Sequence, residues 1–186
     1  MNRILIFTAL IFVTALPVFS QNSEKELEQV RQWFSEVNEN ISQYRKVEYA
    51  DLKVYNDIDP IRHSVEAETI YRLATADMTK FTKDQQLVKI VLNFDGDRED
   101  LTSEYYFKDG NLFFVDKAKT IYHRPKWDEN FKESEKSVAK NRFYIKNNRL
   151  IRWIDPKVNS VGEKDPFFNE QEAMILNDYK LYTSIE

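Results

Sequence analysis

The chain has 186 residues, with 27 basic and 31 acidic side chains, three glycines and no cysteine. Without cysteine there is no disulfide framework, no thiolate-held zinc site, no cysteine nucleophile and no lipid-bearing cysteine of a bacterial lipoprotein. A formal charge of −4 argues against broad nucleic-acid binding and against docking on anionic lipid, and three scattered glycines build no phosphate-cradling loop.

Residues 1–20 read as a secretory signal peptide. Arg3 supplies the positive start, Ile4 to Leu16 is an apolar run without a charge, and Val18 and Ser20 stand three and one residues before a cut at Gln21. The run is shorter than the roughly 20 apolar residues that span a bilayer. An uncleaved anchor is the competing reading. No second apolar run follows, so no membrane span is expected once the peptide is removed. The expected mature chain, 21–186, is a single α+β domain, secreted or periplasmic. It keeps 26 basic and 31 acidic side chains, because Arg3 is the one charge lost. That length buries roughly 70% of the unfolded surface in one domain.

The mature chain opens on Ser23 and Glu26, spaced as a capping box. Leu27, Val30, Phe34, Val37, Ile41 and Tyr44 then recur at three- and four-residue steps, which predicts an amphipathic helix over 23–45. Its apolar stripe is expected to lie on a sheet; fewer than four heptads make a coiled coil the weaker reading. From residue 46 the period drops to two. The runs 47–55, 64–76 and 86–94 alternate as strands of an antiparallel meander, and Pro60 falls in a loop between two of them. About six or seven strands are expected in all.

Two aromatic hairpins follow, "EYYFKDGNLFFV" and "NRFYIKNNRLIRWI". Asp109-Gly110 is a two-residue type I′ turn signal, and Asn147-Asn148 is a weaker form of it. A plain two-residue turn pairs Phe107 with Leu112, Tyr106 with Phe113 and Tyr105 with Phe114. It pairs Ile145 with Leu150, Tyr144 with Ile151 and Arg142 with Trp153. One face then carries Tyr105, Phe107, Leu112, Phe114, Phe143, Ile145 and Leu150. The other carries Tyr106, Phe113, Val115, Tyr144, Ile151 and Trp153, without the charges of the earlier strands. Residues 117–140 separate the hairpins and suggest a short helix after Pro125, on Trp127, Phe131 and Val138. A closing helix is expected over 167–185, with Phe168, Ala173, Ile175, Leu176, Tyr179 and Leu181 on its apolar face.

Catalytic patterns are absent. His63 and His123 have no metal-ligand spacing, and no nucleophile elbow occurs. A serine triad would need Ser103 and His123 to meet a carboxylate, and no spacing suggests it. Asp95, Asp97, Glu99 and Asp100 crowd the turn "DGDRED", where alternate carboxylates could take a hard cation. Gly96 comes too early for the full calcium-loop pattern, so a solvated turn is the plainer reading. No metal and no cofactor is expected.

The aromatic second face is the remaining signal. Either a helix or the 117–140 segment covers it, giving three layers, or it is an exposed patch that binds a partner. Tyr106, Phe113, Tyr144 and Trp153 are the binding candidates, since Tyr and Trp join apolar area to a polar tip. The hairpins, with "IYHRP" between them, resemble a group of uncharacterised secreted bacterial proteins with paired Y-Y-F-x-[DN]-G-x-L hairpins. The likeness covers about residues 86–156 and departs at Asn148, where the group carries Gly. It implies secretion and brings no activity and no site residues with it. The expected function is a non-catalytic interaction module for an envelope protein or polymer. Alternatives are a carrier with an apolar cavity between sheet and helix and a hydrolase whose site is not visible in the sequence.

Overall fold

The computed structural model describes residues 18–56 and 72–185, with side-chain detail for 25–52 and 76–185. Its frame is one sheet of eight antiparallel strands that neighbour each other in chain order. They are β1 Arg45–Asn56, β2 Arg72–Lys83, β3 Gln86–Asp95, β4 Glu99–Lys108, β5 Asn111–Tyr122, β6 Lys136–Lys146, β7 Arg149–Ile154 and β8 Ser160–Val161. Helix α1, Val18–Glu39, precedes the sheet and helix α2, Pro166–Ser184, follows it. The architecture is the expected α+β meander with one more strand than six or seven. The addition is β8, whose two residues are too few to show an alternation.

Helix α1 ends earlier than its hydrophobic period suggests. Asn38 and Asn40 donate their side-chain amides to the carbonyls of Phe34 and Glu36, at 2.9 and 2.8 Å. These bonds occupy carbonyls of the last turn, and the chain leaves through a 3-10 turn at Ile41–Gln43. Ile41 and Tyr44 still pack with the stripe, but from outside the helix. Ser23 lies within α1 instead of capping it. Helix α2 has a well-formed start: Pro166 stands at its first turn, and Asp165 accepts a hydrogen bond from the Phe167 N–H at 2.9 Å. Its buried stripe is Phe168, Gln171, Ile175 and Tyr182. Ala173 and Leu181, expected inside, face solvent.

The two helices lie on opposite faces, so the sheet is the middle of three layers in the region of the aromatic hairpins. Both cross the strands in the same sense. Along α1, Glu26 meets Lys146 at the end of β6, and Glu36 meets Lys108 and Lys83 at the ends of β4 and β2. Along α2, Glu172 accepts the Leu150 N–H of β7 at 2.8 Å, and the carbonyls of Thr183 and Ile185 take the Lys80 ammonium of β2. Under α2 lies the larger core, with Met78, Ile90, Leu92, Tyr105, Phe107, Val115, Phe143 and Trp153. Under α1 lies a smaller one of Val30, Val37, Tyr106, Phe113 and Phe114, flanked by Trp33, Phe34 and Tyr144.

Three hairpins, not two, share one plan. Asp84-Gln85, Asp109-Gly110 and Asn147-Asn148 all adopt positive φ at both turn positions, as a type I′ turn requires. A β-bulge follows each turn, so that Phe81 pairs with Lys89, Tyr106 with Phe114 and Tyr144 with Arg152. The sequences align as "KDQQLVK", "KDGNLFF" and "KNNRLIR". Each opens on the lysine that meets an α1 glutamate. Each places a leucine, Leu87, Leu112 or Leu150, against the α2 core. Each then carries the bulged residue, Val88, Phe113 or Ile151.

These bulges overturn the expected faces. Inserting one residue reverses the parity of every later side chain on that strand. Phe114 therefore joins Phe113 beneath α1, and Val115 belongs to the α2 core. Trp153 pairs with Phe143 instead of Arg142 and stacks on it, ring centroids 5.7 Å apart, on the α2 side. The helix suggested after Pro125 is absent: residues 123–135 form turns, and Val138 lies in β6. His63, Pro60 and the first part of the 64–76 strand fall outside the described residues.

Candidate binding site

The four aromatic candidates are not gathered on an open surface. Tyr106, Phe113 and Trp153 are buried, and Tyr144 is half-buried at the border of α1. Helix α1 closes directly on the first two. Phe34 lies 5.0 Å from the Tyr106 ring and 5.4 Å from that of Phe114, and Trp33 lies 5.3 Å from that of Phe113, centroid to centroid. At these separations the rings are in contact, and the helix is seated on the sheet here without a ligand-sized gap. Of the two readings of the aromatic face, a covering helix or an exposed patch, the structure has the covering helix over Tyr106 and Phe113.

The same sheet face continues past the end of α1, and there its middle strands carry charged side chains. On the rung beneath the helix, Lys89, Tyr106, Phe114, Tyr144 and Arg152 run across β3 to β7. On the next rung on that face, Glu104, Asp116 and Arg142 stand on neighbouring strands, β4, β5 and β6. Lys140 is two residues before Arg142 and so shares its face. Alternation therefore does place charge on the second face of the aromatic hairpins. Glu104 and Arg142 share this face by simple alternation with Tyr106 and Tyr144, and the bulges in β5 and β7 bring Asp116 and Arg152 to it.

Part of this strip is internally satisfied. Lys89, only 6% exposed, gives its ammonium to Glu104 Oε1 at 2.9 Å and to Asn38 Oδ1 of α1 at 3.1 Å, with the nitrogen 4.6 Å from the Tyr106 ring centroid. The Tyr106 hydroxyl donates to Glu104 Oε2 at 2.6 Å. Burial first, and then this carboxylate, hold the hydroxyl proton far above the ordinary tyrosine range. Lys89, Glu104, Tyr106 and Asn38 thus form a closed network that ties the last turn of α1 to the sheet.

The other part is not. Asp116 Oδ1, Arg142 Nε and Arg152 Nε are shielded from solvent and take no hydrogen-bond partner. Asp116 and Arg142 are direct cross-strand neighbours, yet they form no ion pair. The nearest cation to Asp116 is the more exposed Lys140, whose ammonium stays 3.9 Å from Oδ2. Burial raises the Asp116 carboxyl above its ordinary value, and the Glu104 carboxylate adds to this. Lys140, Arg142 and Lys89 pull it back only in part. Among the described residues neither Arg142 nor Arg152 has an acidic partner, although Arg152 lies over the Tyr144 ring at 6.0 Å. An unpaired buried charge or polar atom costs free energy. Three side by side mark a region where the chain has not optimised its own stability.

The remaining candidates are occupied or apart. The acidic turn Asp95–Asp100 holds a cation of the protein's own, the Lys126 ammonium, which bridges Asp95 and Asp100. Asp100 also accepts the Tyr122 hydroxyl at 2.7 Å. Burial would raise the Asp100 carboxyl, but these bonds outweigh it and bring it below its ordinary value. Lys126 thereby anchors the loop that exposes Trp127 to solvent. His123 is exposed at a strand end and Ser103 lies half-buried within β4, so no catalytic trio forms around them. Among the described residues no group of three or more His, Cys, Asp or Glu side chains could hold a metal ion. No described helix is long and apolar enough to cross a membrane. Comparison of the chain with family models, curated proteins and solved structures finds no match in any of the three.

Proposed function

We propose that this chain is a secreted or periplasmic binding module for an envelope protein or polymer, or a component of one. In this reading the grip is the charged half of the sheet face beside α1: Asp116, Arg142 and Arg152, with Tyr144 at its edge. The observation that carries it is the trio of buried polar atoms without partners on three adjacent strands. The aromatic residues Tyr106, Phe113 and Trp153 serve by fixing α1 and the strands that present the trio. The cavity-carrier alternative has less support, because α1 sits ring-on-ring against the sheet where such a cavity would lie.

The test uses mature chain 21–186, wild type beside an Asp116→Asn/Arg142→Gln/Arg152→Gln triple variant, each exposed to envelope extract. Retained species are identified by mass. A species held by wild type and lost from the folded variant supports the reading; equal retention by both overturns it. The Glu104–Asp116 pair is the one observation that favours a hydrolase, since two carboxylates of unlike environment can divide acid and base roles. Both Glu104 oxygens are already engaged, by Lys89 and Tyr106. Turnover of a glycoside or peptide that disappears in Asp116→Asn would establish that alternative.

A further inference from the structure

We infer that the outer edge of β6 over residues 136–140 takes an extended acidic segment of a partner protein as an added strand. This deepens the binding reading above and rests on it.

The edge is open because β7 is short. Strand β6 runs from Lys136 to Lys146, but β7 pairs only with residues 142–146 of it. Strand β7 ends at Ile154, and Pro156, two residues on, has no N–H to carry the ladder further. Residues 136–140 thus have β5 on one side and, among the described residues, no strand on the other. No backbone hydrogen bond from a described loop reaches them there. In an antiparallel ladder every second residue turns its N–H and C=O to the same neighbour, so this stretch presents unpaired backbone groups along its outer side. Lys136, Ser137, Val138 and Lys140 are exposed. A stretch of about five residues is the length of an ordinary strand, and strand addition works through the backbone without a cavity.

The side chains set the kind of strand that fits. Lys136, Val138 and Lys140 alternate onto the face that carries Arg142, and Ser137 and Ala139 leave the other face small. Lys136 has Glu133 at 3.3 Å and Lys140 has Asp116 at 3.9 Å, while the Nε atoms of Arg142 and Arg152 take no partner. These four cations therefore outnumber the two carboxylates beside them. A strand with acidic side chains opposite Lys136 and Lys140, and an apolar one opposite the half-exposed Val138, makes favourable cross-strand pairs at all three positions. A second copy of this edge fits worse, because antiparallel pairing about Val138 sets Lys136 directly against Lys140, and like charges in that position repel.

The test uses residues 21–186 and the probe acetyl-TETVTET-amide, whose alternate residues set glutamate, valine and glutamate on one face. The counterpart acetyl-TKTVTKT-amide reverses the charge. Fluorescence anisotropy of the labelled peptides is expected to show the acidic one bound about tenfold more tightly than the basic one. Lys136→Glu/Lys140→Glu is expected to reverse that preference, with circular dichroism showing whether the variant keeps its fold. In wild type, hydrogen exchange at the outward amides of residues 136–140 is expected to slow when the acidic peptide is bound, a change that charge attraction alone does not produce. Equal binding of the two peptides, binding of neither, or unchanged exchange at residues 136–140 overturns the inference. Exchange that slows there in the free chain as its concentration is raised makes a second copy the occupant and overturns it too. The binding module itself stands or falls separately, by whether the triple variant loses the species that wild type retains from extract.

Discussion

At the scale of single residues, Asp116 costs the fold stability. Its carboxyl is raised in the folded chain, chiefly by burial, so between the unfolded value near 3.8 and the folded one the native state holds a proton that the unfolded state has released. Stability is therefore lost as pH rises through that window and stays lost above it. Asp116→Asn removes the penalty, and its melting temperature at pH 7 is expected to equal or exceed that of wild type while the difference vanishes toward pH 3; a clear loss at pH 7 would mean that Arg142 or Lys140 pairs with Asp116 more strongly than the geometry shows. Asp100 has the opposite sign. Its carboxyl is lowered by Lys126 and Tyr122 against the effect of burial, so its contribution is present above about pH 4 and is lost as pH falls below that. Lys126→Met is expected to remove that acid-side loss, together with less than about 1 kcal/mol of stability at neutral pH, because the pair is partly exposed. Acid titrations of unfolding on the two proteins measure it. Asn148 holds φ at 56°, which glycine adopts without strain. Asn148→Gly is expected to stabilise the β6–β7 hairpin by about 0.5 kcal/mol in chemical denaturation.

At the scale of elements, periodicity is a sound guide to what forms and a poor one to where it ends and which way it faces. The 3.6-residue stripe marks α1, but Asn38 and Asn40 stop the helix by bonding its own carbonyls, and an apolar stripe carries no trace of that. The alternation marks β4 to β7, but a bulge one step past each turn reverses the face of every later residue on its strand. Simple alternation therefore misplaces Asp116 and Arg152, though it puts Glu104 and Arg142 on the right face, and it sets Trp153 on the wrong side. The signal is present in the sequence as a third copy. "KDQQLVK" shares the lysine, the turn and the leucine of the aromatic pair, and three equivalent turns suggest a shared local geometry where two could be coincidence. The lysines have a purpose at this scale: Lys83, Lys108 and Lys146 line the hairpin tips where α1 crosses, and meet Glu36 and Glu26. Exposed pairs of this kind contribute about 0.2–1 kcal/mol each and set the seat of the helix more than its strength. The strength lies in the rings. Phe34→Ala is expected to cost about 3 kcal/mol in denaturant unfolding, since it removes contacts to Tyr106 and Phe114 together.

At the scale of the whole molecule, the aromatic richness of the hairpins has a plain physical cause. A sheet covered on both faces needs apolar side chains on both, and here α1 and α2 cross the same strands from opposite sides. Where α1 ends, the middle strands of that face, β4 to β6, carry charged side chains. The α+β meander was legible because a change of period from 3.6 to 2 and back is strong over many residues. The division of one sheet face into a packed half and a charged half was not, since it depends on where a helix stops in space. The two halves differ in what they add to the fold: aromatic residues under the helix hold it, and the charged residues beyond its end include polar atoms without partners. Chemical denaturation of residues 21–186 tests that division most directly, with wild type compared with Tyr106→Ala and with the Asp116→Asn/Arg142→Gln pair. The account expects Tyr106→Ala to lose about 3–5 kcal/mol and the charge-removing pair to lose about 1 kcal/mol or less. A stable Tyr106→Ala beside an unfolded Asp116→Asn/Arg142→Gln would reverse the roles and contradict it.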